Sequence, residues 1–277
     1  MAIQLATKYL PFTDEMFTKE SRKSLITNND FDWTGAHTIK VYRISTSGMN
    51  DYDRVGNGAN WSRYGEVERL GATTQEMTLR KDRSFTFAID KLDSDETAQQ
   101  LKAASALARQ LREVVVPEVD EWVYNEMCDH AGTTTAPTVL TADNVYDEII
   151  KASKVMDDAY VPETGRSIVV TPAVYLLLKR SPDVIMETDI AADMRIRGVV
   201  AMIDGADIIK VPESRLPDGF GFLMVHAIAT VAPVKLEDYT VHDNPPGISG
   251  ALVEGRINYD AFVLDNKAMA LYYLKQA

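Results

Sequence analysis

The residue types that most often do chemistry are few and scattered in this chain. Its histidines are His37, His130, His226 and His242, and no metal-ligand spacing links them. Cys128 and His130 lie two apart, so on a helix they point in different directions. Gly56-Asn57-Gly58 begins like a dinucleotide-binding turn, but Trp61 stands where the final glycine belongs and no helix pattern follows. Asp51, Asp53 and Gly56 fall close to a calcium-loop spacing, yet the third ligand position is Val55 and the twelfth is Ser62 instead of Glu. No Gly-x-Ser-x-Gly elbow and no phosphate-loop lysine motif occurs. Asn60-Trp61-Ser62 fits a glycosylation acceptor, but without a secretory signal it is expected to stay idle. Glu118, Asp120 and Glu121 read as a solvated helix face instead of an acid–base pair. No catalytic residue, metal or cofactor is expected.

One segment is rich in residues of another kind. Residues 46–74 carry five glycines, three aromatics (Tyr52, Trp61 and Tyr64) and three arginines (Arg54, Arg63 and Arg69). A loop of that length is functional or disordered when it occurs in a compact domain. Aromatics with arginines are the composition of protein–protein interfaces. These six side chains are the candidate interface residues.

The elements that must position them follow from local pattern. Residues 38–45 alternate, with Ile39 and Val41 on one face, and residues 75–90 alternate again through Met77, Leu79, Phe85, Phe87 and Ile89. They read as the two arms of a long antiparallel hairpin whose tip is the loop. Residues 1–36 read as an arm with one short helix capped by Thr13, and Ser24–Asp32 as loop. The arm lacks a core of its own and must lie on something else. Residues 94–130 form the strongest helix, with Asp93 and Glu96 as a capping box and Ala98, Leu101, Ala104, Ala108, Leu111 and Val115 as its inward stripe. Pro117 predicts a kink or break there. From residue 140 helix and strand alternate. A helix capped by Thr141 runs to Asp158, strand Ser167–Val170 follows, and Thr171-Pro172 starts another helix. A hairpin turns at Asp204-Gly205, and Phe222–Val225 is a strand. After the break at Asn244-Pro245-Pro246-Gly247, Leu252–Leu264 and Ala268–Leu274 read as two closing strands turned at Asp265-Asn266.

Composition sets outer limits. The 277 residues are 45% hydrophobic and 25% charged, enough for a large core without disulfides or metals. With 29 basic and 41 acidic residues the net charge is −12, the wrong sign for a clamp on duplex DNA. A single cysteine fits a reducing compartment. Residues 1–10 have no signal-peptide pattern, and no stretch reaches the ~20 apolar residues of a membrane span.

In this order the elements resemble a tailed-phage major capsid protein of the Hong Kong 97 fold. Trp33-Thr34-Gly35-Ala36-His37-Thr38-Ile39-Lys40-Val41 resembles the approach to that family's extended loop. Leu111 to Pro117, followed by Glu118-Val119-Asp120, resembles its spine helix. Arg166-Ser167-Ile168-Val169-Val170-Thr171-Pro172, with Tyr175 and Leu178, resembles the strand-to-helix step of the axial domain. Ile203-Asp204-Gly205 with Ile209-Lys210-Val211-Pro212 resembles the axial hairpin. Gly255-Arg256-Ile257-Asn258-Tyr259-Asp260-Ala261-Phe262-Val263 resembles the closing strand.

The resemblance implies an α+β chain with an N-terminal arm (1–36), an extended-loop hairpin (37–92), a spine helix and peripheral domain (93–139), an axial domain (140–243) and return strands of the peripheral domain (244–277). It implies self-assembly through hexamers and pentamers into an icosahedral shell. The extended loop lies over a neighbour, and the arm reaches an adjacent subunit. The shell encloses double-stranded DNA without sequence-specific binding, and a portal and a separate scaffolding protein take part. It implies a structural protein of the virion, assembled in the host bacterial cytoplasm, with no membrane, enzyme activity or cofactor. An encapsulin-type compartment is the nearest alternative, distinguished by enzyme cargo in place of DNA. A soluble α/β enzyme built on residues 140–245 is the alternative from another class, and it requires an enclosed polar pocket.

Overall fold

A computed structural model of the chain describes residues 21–28, 31, 33, 38–56, 62–91, 103–181 and 199–277, without the side chains of 199–201 and 236. It divides into two compact units, Gly35–Thr78 and the remainder.

The smaller unit is a two-stranded antiparallel ribbon. Strand β1 (Thr38–Ile44) pairs with β2 (Ala72–Thr78), from Thr38 opposite Thr78 to Ile44 opposite Ala72. The alternation read at Ile39 and Val41 is therefore that of a strand. The second arm differs from expectation. Residues 75–90 are not one strand, because β2 stops at Thr78 and the next strand, β3 (Lys81–Asp90), belongs to the larger unit.

In the larger unit β3 is followed by a long helical run. Helix α1 (Ala103–Gln110) passes through a single π turn (Leu111–Val115) into α2 (Val116–Asp129). Pro117 explains the change of register. It lacks the amide that would bond one turn back, and its ring crowds that turn's carbonyl. The wider π spacing absorbs the clash just before it, so the chain stays helical while the α-helix is interrupted. The expected capping pair, Asp93 and Glu96, lies outside the described residues, as do Ala98 and Leu101. Ala104 and Ala108 are exposed instead of inward, because α1 buries no residue, whereas Val119, Val123 and Met127 of α2 are buried.

The chain continues through β4 (Thr133–Thr134), α3 (Val145–Asp158), β5 (Arg166–Val170), α4 (Pro172–Arg180), β6 (Val199–Ile203), β7 (Ala206–Lys210) and β8 (Phe220–His226). The run ends with β9 (Thr230–Val231), β10 (Val234–Asp243), β11 (Gly250–Tyr259), β12 (Phe262–Val263) and β13 (Leu271–Lys275). Helix α3 starts at Val145, later than a Thr141 cap requires. Its apolar stripe, Val145, Ile149, Ala152 and Met156, is fully buried. At α4 the expected cap is present, with Thr171 Oγ1 accepting a 3.1 Å bond from the Val174 amide and Pro172 first in the helix. Asp204 and Gly205 join β6 to β7 with φ of 49° and 73°, the two positive values of a type I′ turn.

A six-stranded sheet ordered β4-β13-β8-β5-β7-β6 carries the core. Alternate residues of each central strand go to opposite faces. Ile168, Val170, Phe222, Met224, Tyr272 and Leu274 meet α3 and α4. Val169, Leu223, Val225, Leu271 and Tyr273 meet Val119, Val123, Tyr124 and Met127 of α2. A second sheet, β10-β11-β3, adds Ile257 and Tyr259 to the α2 side. The last expected strand thus joins the six-stranded sheet, antiparallel to β8, and does not pair with β11. The described arm residues lie on this chain's own core, which departs from the expectation for 21–28. Ile26 is fully buried in the α2 cluster, a contribution of about 2 kcal/mol. The Asn28 amide donates to Thr230 O at 2.7 Å. The helix expected after Thr13 lies outside the described residues.

Candidate assembly surface

The candidate interface residues sit beyond the end of the β1–β2 ladder, and local hydrogen bonds shape the segment that carries them. The two legs stay together past the strands. Ser45 donates through its amide to Gly71 O at 2.9 Å, its Oγ accepts from the Gly71 amide at 2.8 Å, and Ser47 Oγ donates to Glu68 Oε2 at 2.9 Å. Nearer the tip the Asp53 amide donates to Arg63 O at 2.9 Å. The Asp53 carboxylate then accepts from the amides of Val55 and Gly56, a side-chain turn. Gly56, at φ 78°, takes a left-handed conformation that favours glycine and lets the Arg63 guanidinium lie against its backbone.

This arrangement brings five of the six expected residues onto one unit. Tyr52 and Tyr64 meet edge to face, with ring centroids 5.0 Å apart. Arg54, Arg63 and Arg69 are exposed. Trp61 lies outside the described residues. Sequence reasoning missed the apolar surface around them: Ile44, Met49, Val55 and Val67 are each at least 70% exposed. A two-stranded ribbon is marginally stable on its own. Exposed apolar side chains beside arginines are the composition that protein interfaces favour.

The body holds a second feature that the sequence misassigned. Glu121 is exposed as expected of a solvated face, but Glu118 is half-buried, accepting from Arg83 Nε at 2.6 Å and Tyr259 OH at 3.2 Å, and Asp120 is buried. Asp120 accepts from Ser21 Oγ at 2.6 Å and from Arg215 Nη1 at 2.8 Å, joining the arm, α2 and the turn before β8. Burial pushes the Asp120 carboxyl above its ordinary range, outweighing the pull of Ser21, Arg215 and Lys23. Burial likewise pulls the nearby Lys23 ammonium down, against Asp120 and Glu237. Spacing carried the signal: Val116, Asp120, Val123 and Met127 follow one helix face, so Asp120 falls within the buried stripe. Burial also pushes the Cys128 thiol up, and it sits in the core with no thiolate character.

No protein-family model and no curated protein matches this sequence. Solved structures do match, and phage structures are among them. A chain of Mycobacterium phage Che8 is 18% identical over 99% of this chain and 96% of that one, with a TM-score of 0.76. The capsid structure of cyanophage P-SCSP1u is 15% identical over 99% of this chain and 93% of that one, at 0.71. The capsid of Myoviridae phage XM1 is 13% identical over 100% and 99%, at 0.67. Throughout its length, the chain has the fold of these phage capsid structures.

Proposed function

We propose that the chain is the major subunit of an icosahedral phage head, which self-assembles as hexamers and pentamers around packaged double-stranded DNA. The observation that carries this reading is likeness to phage capsids along almost the whole chain, with TM-scores up to 0.76. The hairpin unit supports it, since its exposed apolar and arginine side chains call for a protein partner, and the partner implied is a second copy of the chain. The work of such a subunit is structural. A net charge of −12 fits a wall that does not bind the DNA it encloses. A scaffolding protein, a portal and assembly in the host cytoplasm belong to the same proposal. In this reading the extended-loop role belongs to Gly35–Thr78, and the arm, spine, peripheral and axial roles are those expected from the sequence. Phage capsids among the similar structures favour a viral head over an enzyme-filled compartment.

Cargo tests the distinction. Particles isolated from the native source and treated with nuclease should retain double-stranded DNA of one length. Particles that hold an enzyme and no protected DNA would support the compartment reading instead.

A further inference from the structure

The chain crosses between the two units twice, at Thr34–Gly35 and at Thr78–Leu79. In the larger unit the residues flanking both crossings belong to one side-chain cluster. Trp33, before the first crossing, stacks on Phe262 with ring centroids 5.6 Å apart and planes 11° from parallel. Arg80, after the second, lies over the same Phe262 ring at 5.8 Å and over Trp122 at 5.3 Å. Its guanidinium grips Asp260 from two nitrogens, Nε to Oδ2 and Nη2 to Oδ1, each at 3.0 Å. The Arg80 amide adds a third bond to Oδ2 at 2.8 Å. Trp122 Nε1 and the Ala261 amide fill Oδ1, each at 2.8 Å, and Arg80 also pairs with Glu126 at 3.0 Å. The Asp260 side chain is fully buried, so every one of these donors is needed to offset its lost hydration.

We propose that Trp33, Arg80, Trp122, Asp260 and Phe262 form a root lock for the hairpin, a single cluster that fixes both points where the hairpin leaves the body. Two separate anchors would let each leg loosen alone. A shared anchor couples them: losing the Trp33 stack frees the Phe262 ring that supports Arg80, and losing the Arg80 fork frees the same ring from the other side. The hairpin is then either held at both ends or released at both.

The test uses the full-length chain, kept unassembled by dilution, with hydrogen exchange read by peptide. Arg80→Lys keeps the charge but loses the two-nitrogen fork, and Trp33→Leu removes the stack. Each should speed exchange of residues 38–44 and 72–78 together by about 10-fold, with 145–158 and 220–226 unchanged. The double variant should fall short of the product of the two single effects by about 5-fold, the signature of a shared cluster. Phe262→Leu, which leaves the buried Asp260 bonds intact, should reproduce Trp33→Leu and supplies the reading if Arg80→Lys does not fold. Effects that multiply, effects confined to one leg, no change in the legs, or equal acceleration across the body would each overturn the lock. Because the readout needs no assembly, failure here leaves the shell proposal standing.

Discussion

Replacing residues 50–68 by an Asn-Gly turn is expected to abolish shell assembly while the subunit still folds. The β1–β2 register from Thr38–Thr78 to Ile44–Ala72 lies outside the replaced segment, and a two-residue turn joins antiparallel strands directly. The six-stranded sheet and its two buried faces draw no residue from 50–68. What is lost is the Tyr52–Tyr64 pair, Arg54, Arg63 and the exposed Val55 and Val67. Truncating one interface anchor weakens binding by about 2 kcal/mol or more, roughly 30-fold, and a shell repeats that loss at every equivalent contact. Circular dichroism beside sedimentation checks the expectation. A native spectrum without particles is the expected pair of results. Normal particles would make the tip dispensable, and loss of all structure would make it part of the core.

The second large effect is on stability. Asp120→Ala removes the buried carboxylate that accepts from Arg215 Nη1 and Ser21 Oγ. Removing one partner of a buried ion pair costs about 3–5 kcal/mol. For a chain of this size that lowers Tm by roughly 10 °C. The pH dependence has a definite sign. Burial raises the Asp120 carboxyl above its ordinary value of 3.8, so the folded chain holds that proton more tightly than the unfolded chain. The group therefore adds stability as pH falls through its raised value toward 3.8, and that contribution is absent at neutral pH. The Tm advantage of the parent chain over Asp120→Asn should widen as pH drops from 7 toward 4. An advantage that shrinks over that range would mean that pairing with Arg215, not burial, dominates.

Much of the body was legible from local pattern, because local chemistry decides it. Thr171-Pro172 offers a hydroxyl cap and a ready-set φ, and Asp204-Gly205 accepts two positive φ values, so both were placed from residue type alone. The burial of Val145, Ile149 and Met156 follows from one helical stripe above a sheet. Strand partners were less legible. Met77 and Leu79 continue in period into Phe85, Phe87 and Ile89, and nothing in that alternation says that the ladder changes partner at Leu79–Arg80. The polar strand β10 pairs throughout with β11, yet it lacks the apolar alternation that would announce it. Ala104 and Ala108 have helical spacing, but periodicity does not reveal whether anything lies beneath the helix. At the candidate assembly surface, residue type pointed to the aromatics and arginines. Their grouping on one unit depends on backbone turns at Asp53 and Gly56, which only the three-dimensional arrangement displays.

Electron microscopy of the purified full-length chain, at rising concentration and with its sedimentation profile, tests the central claim most directly. A shell subunit should yield closed particles of uniform diameter with hexameric and pentameric clusters in their walls, and those particles should vanish in the chain lacking 50–68. A stable monomer that forms no closed shell under any of these conditions, alone or with a scaffolding partner, would contradict the account.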